Sequence, residues 1–479
     1  MPSKSVLHST IWSISQRYLP SVIHIIATLI ITRMITPSDF GEVALITTFY
    51  QISILLVSSG LGEGLIFKVD CSKELVSSVF YFNILIALVL YSILFFTAPY
   101  ISNYYGIERL NILTKIIGLN IIVYALSYVQ RVLLQKAIDF KKLAIISLAA
   151  SIISSVVGLI LAYKGWGIWS IVFLTLLLNF IEFVLLWCIS KWKPSFVFSW
   201  NEILQILPYS VKILLTNCVQ VIYDNIYSLT IGKTLDSKSL GYFNRMQTVV
   251  YYTTTNFMYS IENVFFPILC KNRNNESQLR NAYVKLLRIT MFITSFVLVI
   301  LIGLKREIVI IVLTDKWIDG ASVLMYLAIG FMFQPISYIN NSFLKIFNKT
   351  KILLCSNILK KIIGLFILCL TLKTHSLTVI CYGVILYYFV DAIISMVCTH
   401  RFINISLSRQ FSCIKNVFVL SILSLLSLYT ITSILINEYL IVLVGVLSVF
   451  AIYFFVCVLF KTDEYVIVKN IVSNMVAKD

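Results

Sequence analysis

Acidic side chains are rare in this chain of 479 residues, with 21 Asp and Glu against 38 Lys and Arg, and charged residues make up only 12% of it. Soluble domains carry about 25% charged residues, so the shortage excludes an ordinary soluble fold. Histidine is scarcer still: His8, His24, His375 and His400 stand far apart and make no metal-binding pattern. The ten cysteines lie mostly inside apolar runs without a C-x-x-C pair, which excludes a disulfide or zinc framework and leaves them as small core residues. No connecting loop exceeds about twenty residues, so there is no room for a soluble catalytic domain. The paired-acid Asp-x-Asp of lipid-dependent glycosyltransferases is missing. Ile231-Gly232-Lys233-Thr234 looks like the end of a phosphate-binding loop, but Tyr227 stands where that loop needs a glycine and no strand precedes it. No cofactor is implied.

What is present is apolar: 59% of residues are hydrophobic and the mean hydropathy is +0.93. Runs of about 20 apolar residues predict an all-α membrane protein with about fourteen spans between residues 11 and 460. The first span has no small-residue cleavage site after it, so it is expected to stay as an anchor. The net charge of +17 does not point to nucleic acid, because the basic residues are scattered among short loops. They are distributed unevenly across the membrane instead. With a cytoplasmic N-terminus, 24 Lys and Arg fall on the cytoplasmic side and 11 on the other, with Lys212, Lys360 and Lys361 inside spans. The bias predicts that both termini are cytoplasmic.

The chain repeats itself. A shift of 200 residues lays Arg33 on Lys233, Phe40 on Leu240 and Gly41 on Gly241, and a shift of 210 lays Ser127-Tyr128 on Ser337-Tyr338 and Lys141 on Lys351. Six spans separate the copies, an even number, so the repeats are expected to run parallel about an axis along the membrane normal. The predicted organisation is two pseudo-symmetric six-helix bundles, residues 1–194 and 195–400, followed by two extra helices and a cytoplasmic tail in 401–479. Folds of this kind bind substrate in a cleft between bundles.

Candidate working residues are the polar groups inside spans. In the first span Ser13, Arg17, Ser21, His24 and Thr28 recur at steps of three and four, so they share one helix face. A cation at mid-bilayer costs about 2.5 to 3.5 kcal/mol on insertion scales, so that face is expected to look into protein or a wet cavity. Pro20 should bend the helix. In the seventh span Lys212, Thr216, Gln220, Tyr223, Asp224 and Tyr227 fall within an arc of about 120°. Two readings stand for Arg17 and Lys212: cations that receive an anionic headgroup, or side chains that snorkel to the interface. Two stand also for Asp224, a carboxylate that couples transport to an ion, with His24 as an associated candidate, or a packing bond, with His24 as a possible partner. Lys360, next to Lys361, is either a cavity cation or the ion-pair partner of Asp391, itself a candidate for ion coupling. Arg245 either faces the cleft or is solvated near the outer end. Glu182 and Glu262 are expected to pair with neighbours in their bundles.

The first span ends in Arg33-Met34-Ile35-Thr36-Pro37-Ser38-Asp39-Phe40-Gly41. This resembles the signature that follows the first helix in bacterial polysaccharide and O-antigen flippases (lipopolysaccharide and colanic-acid type) of the multidrug/oligosaccharidyl-lipid/polysaccharide exporter superfamily. The likeness continues in Gly60-Leu-Gly-Glu-Gly-Leu-Ile-Phe-Lys68, in Leu133 to Lys141, in Asp224-Asn225 with Ile231-Gly232-Lys233, and in Leu240 to Arg245. Met34, Ile35, Glu63 and Phe243 depart from the usual residues, and the likeness fades after about residue 350.

The resemblance implies an inner-membrane flippase, not an enzyme. Its cargo would be an undecaprenyl-pyrophosphate-linked oligosaccharide carried from the cytoplasmic to the periplasmic leaflet by alternating access. Membrane lipids, a proton or Na+ as coupling ion, and a polymerase with its chain-length regulator are the further partners it suggests. The competing reading is a drug or metabolite/cation antiporter of the same superfamily, in which carboxylates rather than Arg and Lys would dominate the cleft. Arg17→Ala is expected to abolish surface polysaccharide while the protein stays at normal level in the membrane, measured by polymer staining beside an immunoblot. Normal polymer would remove Arg17 from the substrate path.

Overall fold

In a computed structural model the described residues are 4–68, 70–271 and 275–459. The side chains of 4–11, 13–15, 17, 263, 264, 267, 268, 271 and 456–459 lie outside the description, as does the expected cytoplasmic tail from Lys461. The described chain is helical throughout. In order the helices are α1 (Lys4–Met34), α2 (Pro37–Ser58), α3 (Leu61–Phe67), α4 (Lys73–Tyr105), α5 (Arg109–Lys136), α6 (Phe140–Tyr163), α7 (Ile168–Ile189), α8 (Trp200–Thr234) and α9 (Ser237–Lys271). There follow α10 (Glu276–Gly303), α11 (Lys305–Leu313), a 3-10 turn (Asp315–Gly320), α12 (Ala321–Phe331), α13 (Gln334–Ile346), α14 (Thr350–Leu372), α15 (Leu377–Ile403), α16 (Leu407–Ile434) and α17 (Glu438–Leu459).

Each of the fourteen expected spans falls on one of these helices, or on the α12–α13 pair. Among the described residues, twelve segments are long and apolar enough to cross a membrane. The described apolar part of α1, Tyr18–Met34, is shorter than a span, and α9 is too polar to be counted with the twelve. The outward surface is greasy, with Phe96, Tyr100 and Phe366 all more than 60% exposed, as lipid contact requires. α1 runs through Pro20, and α4 and α8 run through Pro99 and Pro208.

By packing, the chain divides into two compact units, Met1–Gly241 and Tyr242–Asp479. The seventh span, α8, therefore belongs with the first unit, where it packs against α2, α3 and α4, and the division comes later than residue 194. The last two helices are integral to the second unit. The Tyr453 hydroxyl of α17 lies 3.0 Å from Ser295 Oγ of α10 and 3.4 Å from Ser421 Oγ of α16. Gly303 and Gly445 let Leu428 press against both backbones, the small-residue packing by which membrane helices associate where no hydrophobic force distinguishes protein from lipid. A buried polar knot holds the same unit at its centre. Tyr283 is 3.1 Å from Asn340 Oδ1 and 3.0 Å from Gln410 Oε1, and Gln410 donates to the carbonyls of Met396 and Ile405.

The duplication is visible as repeated contacts. Thr36 caps α2 by accepting from the Asp39 amide, and Asp236, its counterpart 200 residues on, caps α9 by accepting from the Ser239 amide. In the first unit the Tyr128 ring and Val132 press on Gly62, where a Cβ would stand 2.1 Å from the Tyr128 hydroxyl. In the second, the counterpart residues meet again: Glu262 accepts from Tyr338 and, at 2.8 Å, from Ser342. One tertiary contact has been filled by glycine in one copy and by a carboxylate in the other.

The turns before α2 and α9 also grip each other inside the first unit. Ser38 and Ser237 share a 2.6 Å hydroxyl contact. A Cβ on Gly41 would lie 1.8 Å from the Ser237 carbonyl oxygen, and one on Gly241 would lie 1.8 Å from that of Pro37. Both obstacles are backbone, so no rotamer change relieves them. Gly41→Ala and Gly241→Ala are each expected to destabilise the protein by about 2 kcal/mol or more, read as a lowered melting temperature and loss of monodisperse protein in detergent. Wild-type melting of both variants would contradict the crossing.

Candidate functional site

Among the twelve segments able to span, α8 is the least apolar and the least buried. Its polar face is open: Lys212, Thr216, Gln220 and Asp224 are all exposed, while Tyr223 and Tyr227 are half-buried. The face is also ordered along the helix. Gln220 Nε2 lies 2.9 Å from both oxygens of Asp224, one turn away, and Thr216 donates to the Lys212 carbonyl at 2.9 Å. An amide that holds both carboxylate oxygens fixes the direction in which Asp224 presents its charge. A Lys, a Gln and an Asp exposed at one- and two-turn spacing cannot face hydrocarbon, because each would lose its hydration without compensation.

His24 is half-buried on α1, whose main neighbour is α6. Asp224 is carried by α8, whose main neighbours are α2, α3 and α4. Arg17 lies on α1, but its side chain is outside the described ones.

A second polar site lies inside the first unit. Arg131 of α5 forms an ion pair with Glu182 of α7, and Ser147 of α6 donates to the same carboxylate at 3.2 Å. The pair borders a cavity of about 470 Å³ that Gln16 and Ser21 of α1, Gln135 of α5 and Ser151 of α6 also line. Glu182 is buried to 8% exposure, which meets the expectation that it pairs within its bundle. Arg131 was legible only as one of several basic residues near a span end. The sequence carried the need but not the partner: a lone carboxylate in an apolar run demands a cation from another span without specifying which.

In the second unit, Lys360 of α14 is 3% exposed. Its ammonium lies 2.8 Å from Asp391 Oδ1 and 2.7 Å from Ser395 Oγ on α15, and 3.4 Å from Asn341 Oδ1 on α13. Of the two readings of Lys360 the structure has the ion pair, so its charge is already committed. Arg245 of α9 is buried, at 2% exposure, rather than solvated. Glu262 is satisfied by Tyr338, Ser342 and, at 3.3 Å, Lys345.

The residues of the first signature have structural work. Thr36 and Asp39 cap α2, Pro37 opens it, Gly41 permits the crossing, and Arg109 of α5 binds Asp39 at 2.6 Å and approaches Glu42 at 3.7 Å. Lys136 ties off the end of α3 by donating to the carbonyls of Leu65 and Lys68 at 2.9 and 2.5 Å. In the loop after it, Asp139 caps α6 and pairs with Lys142 at 2.6 Å, and that hydrogen bond holds its carboxyl below the usual range.

A many-span helical chain with intramembrane ion pairs and one open polar span defines a multi-pass membrane protein of transporter type. The Lipid II flippase MurJ, in an inward closed conformation, has the same fold, superposing with a TM-score of 0.73 over 94% of this chain and 99% of that one at 15% identity. The chain belongs to the polysaccharide biosynthesis protein family, whose sequence profile matches residues 30–322. Its relatives include the teichuronic acid biosynthesis protein TuaB of Bacillus subtilis (strain 168), 22% identical over 69% of both chains. The succinoglycan biosynthesis transport protein ExoT of Rhizobium meliloti (strain 1021) is also 22% identical, over 68% of this chain and 66% of its own.

Glu182→Ala is expected to lower stability by about 1 to 3 kcal/mol, because it strands Arg131 without its counter-charge in a partly open site. Arg131→Ala/Glu182→Ala should recover most of that loss in a thermal melt. A double variant no more stable than the single one would mean that the pair is not coupled.

Proposed function

We propose that this protein is a flippase for undecaprenyl-pyrophosphate-linked oligosaccharide repeat units of an O-antigen or exopolysaccharide, moving them from the cytoplasmic to the periplasmic leaflet by alternating access. The observation that carries the reading is the exposed Lys212–Gln220–Asp224 face on a membrane-spanning helix, in a chain whose family and relatives are named for polysaccharide biosynthesis and transport. A diphosphate sugar cannot enter hydrocarbon, whereas its polyprenyl tail has no need to leave it. A span with a cation and hydrogen-bonding groups on one open face answers the first requirement, and the greasy outer surface suits the second. Lys212 would meet the diphosphate, and Gln220, Asp224 and the half-buried Tyr223 and Tyr227 would meet sugar hydroxyls. Arg17 and His24 of α1 would extend the polar path. Asp224, exposed beside Gln220, would be the carboxylate that meets a coupling ion, while Asp391 is held by Lys360. The excess of Lys and Arg on one side supports insertion in the bacterial inner membrane with both termini in the cytoplasm.

Deletion is expected to strip surface polymer and trap single lipid-linked repeat units on the cytoplasmic leaflet, seen by mass spectrometry of the lipid fraction. Lys212→Ala and Asp224→Asn should each cut polymer at least tenfold at unchanged protein level. Intact polymer on deletion, with a new sensitivity to cationic drugs, would instead favour an antiporter.

A further inference from the structure

Glu182 and Asp391 stand at the same place in the two copies of the repeat. α7 begins at Ile168 and α15 at Leu377, an offset of 209 residues that also carries Glu182 onto Asp391. Side-chain packing fixes this register independently. A Cβ on Gly158 would lie 2.9 Å from Leu174, and a Cβ on Gly383 would lie 2.9 Å from Thr371 and 3.2 Å from Ile367, one turn before it. At the same offset Gly158 becomes Ile367 and Leu174 becomes Gly383, so the α6–α7 and α14–α15 crossings are one contact with the glycine on opposite sides.

The helices α6 and α14 start 210 residues apart (Phe140, Thr350) and end 209 apart (Tyr163, Leu372); at 209, the offset of Gly158 and Ile367, Ser151 falls on Lys360, and at 210, which relates Tyr128 to Tyr338, Arg131 falls on Asn341. The carboxylate is therefore kept while the helix that supplies its cation is exchanged. In the first unit the cation is Arg131 of α5 and α6 offers the hydroxyl of Ser147. In the second unit the cation is Lys360 of α14, and α13 offers the amide oxygen of Asn341.

We propose that the two pairs are versions of one ancestral cation site whose cation is now tethered to the chain. The Lys360 ammonium is held by oxygens alone, from a carboxylate, a hydroxyl and an amide. Such a donor set suits a small hard cation as well as an ammonium. A buried carboxylate must be neutralised, and a cation built into the helix does so permanently. The wild-type protein then needs no free metal ion at Asp391. Removing the tether restores the older state, a negatively charged oxygen cluster open to a monovalent ion.

The test is thermal melting of purified protein in choline, sodium and potassium chloride at equal ionic strength. Wild-type protein should melt at one temperature in all three salts. Lys360→Ala should melt several degrees lower in choline and regain most of the loss in sodium or potassium, and the gain should vanish in Lys360→Ala/Asp391→Asn. The proposal is overturned by a sodium-dependent rise in the wild type that Asp391→Asn abolishes, or by a folded Lys360→Ala that melts identically in all salts. Should Lys360→Ala not fold, the first unit decides. Arg131→Asn/Ser151→Lys copies the second unit's arrangement and is expected to melt above Arg131→Asn alone, and equal melting of the two would overturn the shared origin of the sites.

Discussion

A charge carried into hydrocarbon must be met by a partner on another helix, and that requirement orders much of this protein's interior. Arg131 joins α5 to α7 through Glu182, Lys360 joins α14 to α15 through Asp391, and Glu262 joins α9 to α13 through two hydroxyls and Lys345. Apolar attraction between helices is weak when the surrounding lipid is as apolar as leucine. Directional pairs of this kind therefore decide which helices are neighbours and at what height they meet. They also make the open face of α8 informative, because Lys212 and Asp224 remain exposed in a chain whose other intramembrane charges are largely enclosed.

The second ordering principle is duplication followed by divergence at fixed contacts. The cap at Thr36 becomes Asp236, and the glycine at 62 that accommodates a tyrosine becomes a glutamate that binds one. Gly41 and Gly241 are held identical, because each faces a backbone carbonyl at a separation no other side chain tolerates. Signature residues near Gly41 therefore serve architecture first. The polar residues proposed to meet substrate lie in span interiors, where Arg17 and His24 in α1 stand against Asn217 and Asp224 in α8.

Span positions were legible because a helix needs about 20 apolar residues to cross a bilayer, and that periodicity is written locally. The repeat, the polar arc of α8 and the option of a Lys360–Asp391 pair were legible for the same reason, each resting on residues within a few turns or on a fixed shift. The Arg131–Glu182 pair was not legible: its partners lie 51 residues apart, and no spacing rule links a residue near the end of one span to a carboxylate within another.

By itself, then, the sequence determined that this is an apolar, many-span helical protein with two related halves and a polar stripe on the seventh span. These properties depend on composition and on short-range periods. Only the tertiary structure decided that α8 packs with α2, α3 and α4 of the first unit, that Lys360 is spent on Asp391 while Asp224 lies exposed, and that one ancestral contact takes its cation from α5 in one unit and from α14 in the other. Such choices depend on which helices pack together and on the height at which their side chains meet, and linear spacing carries no record of either.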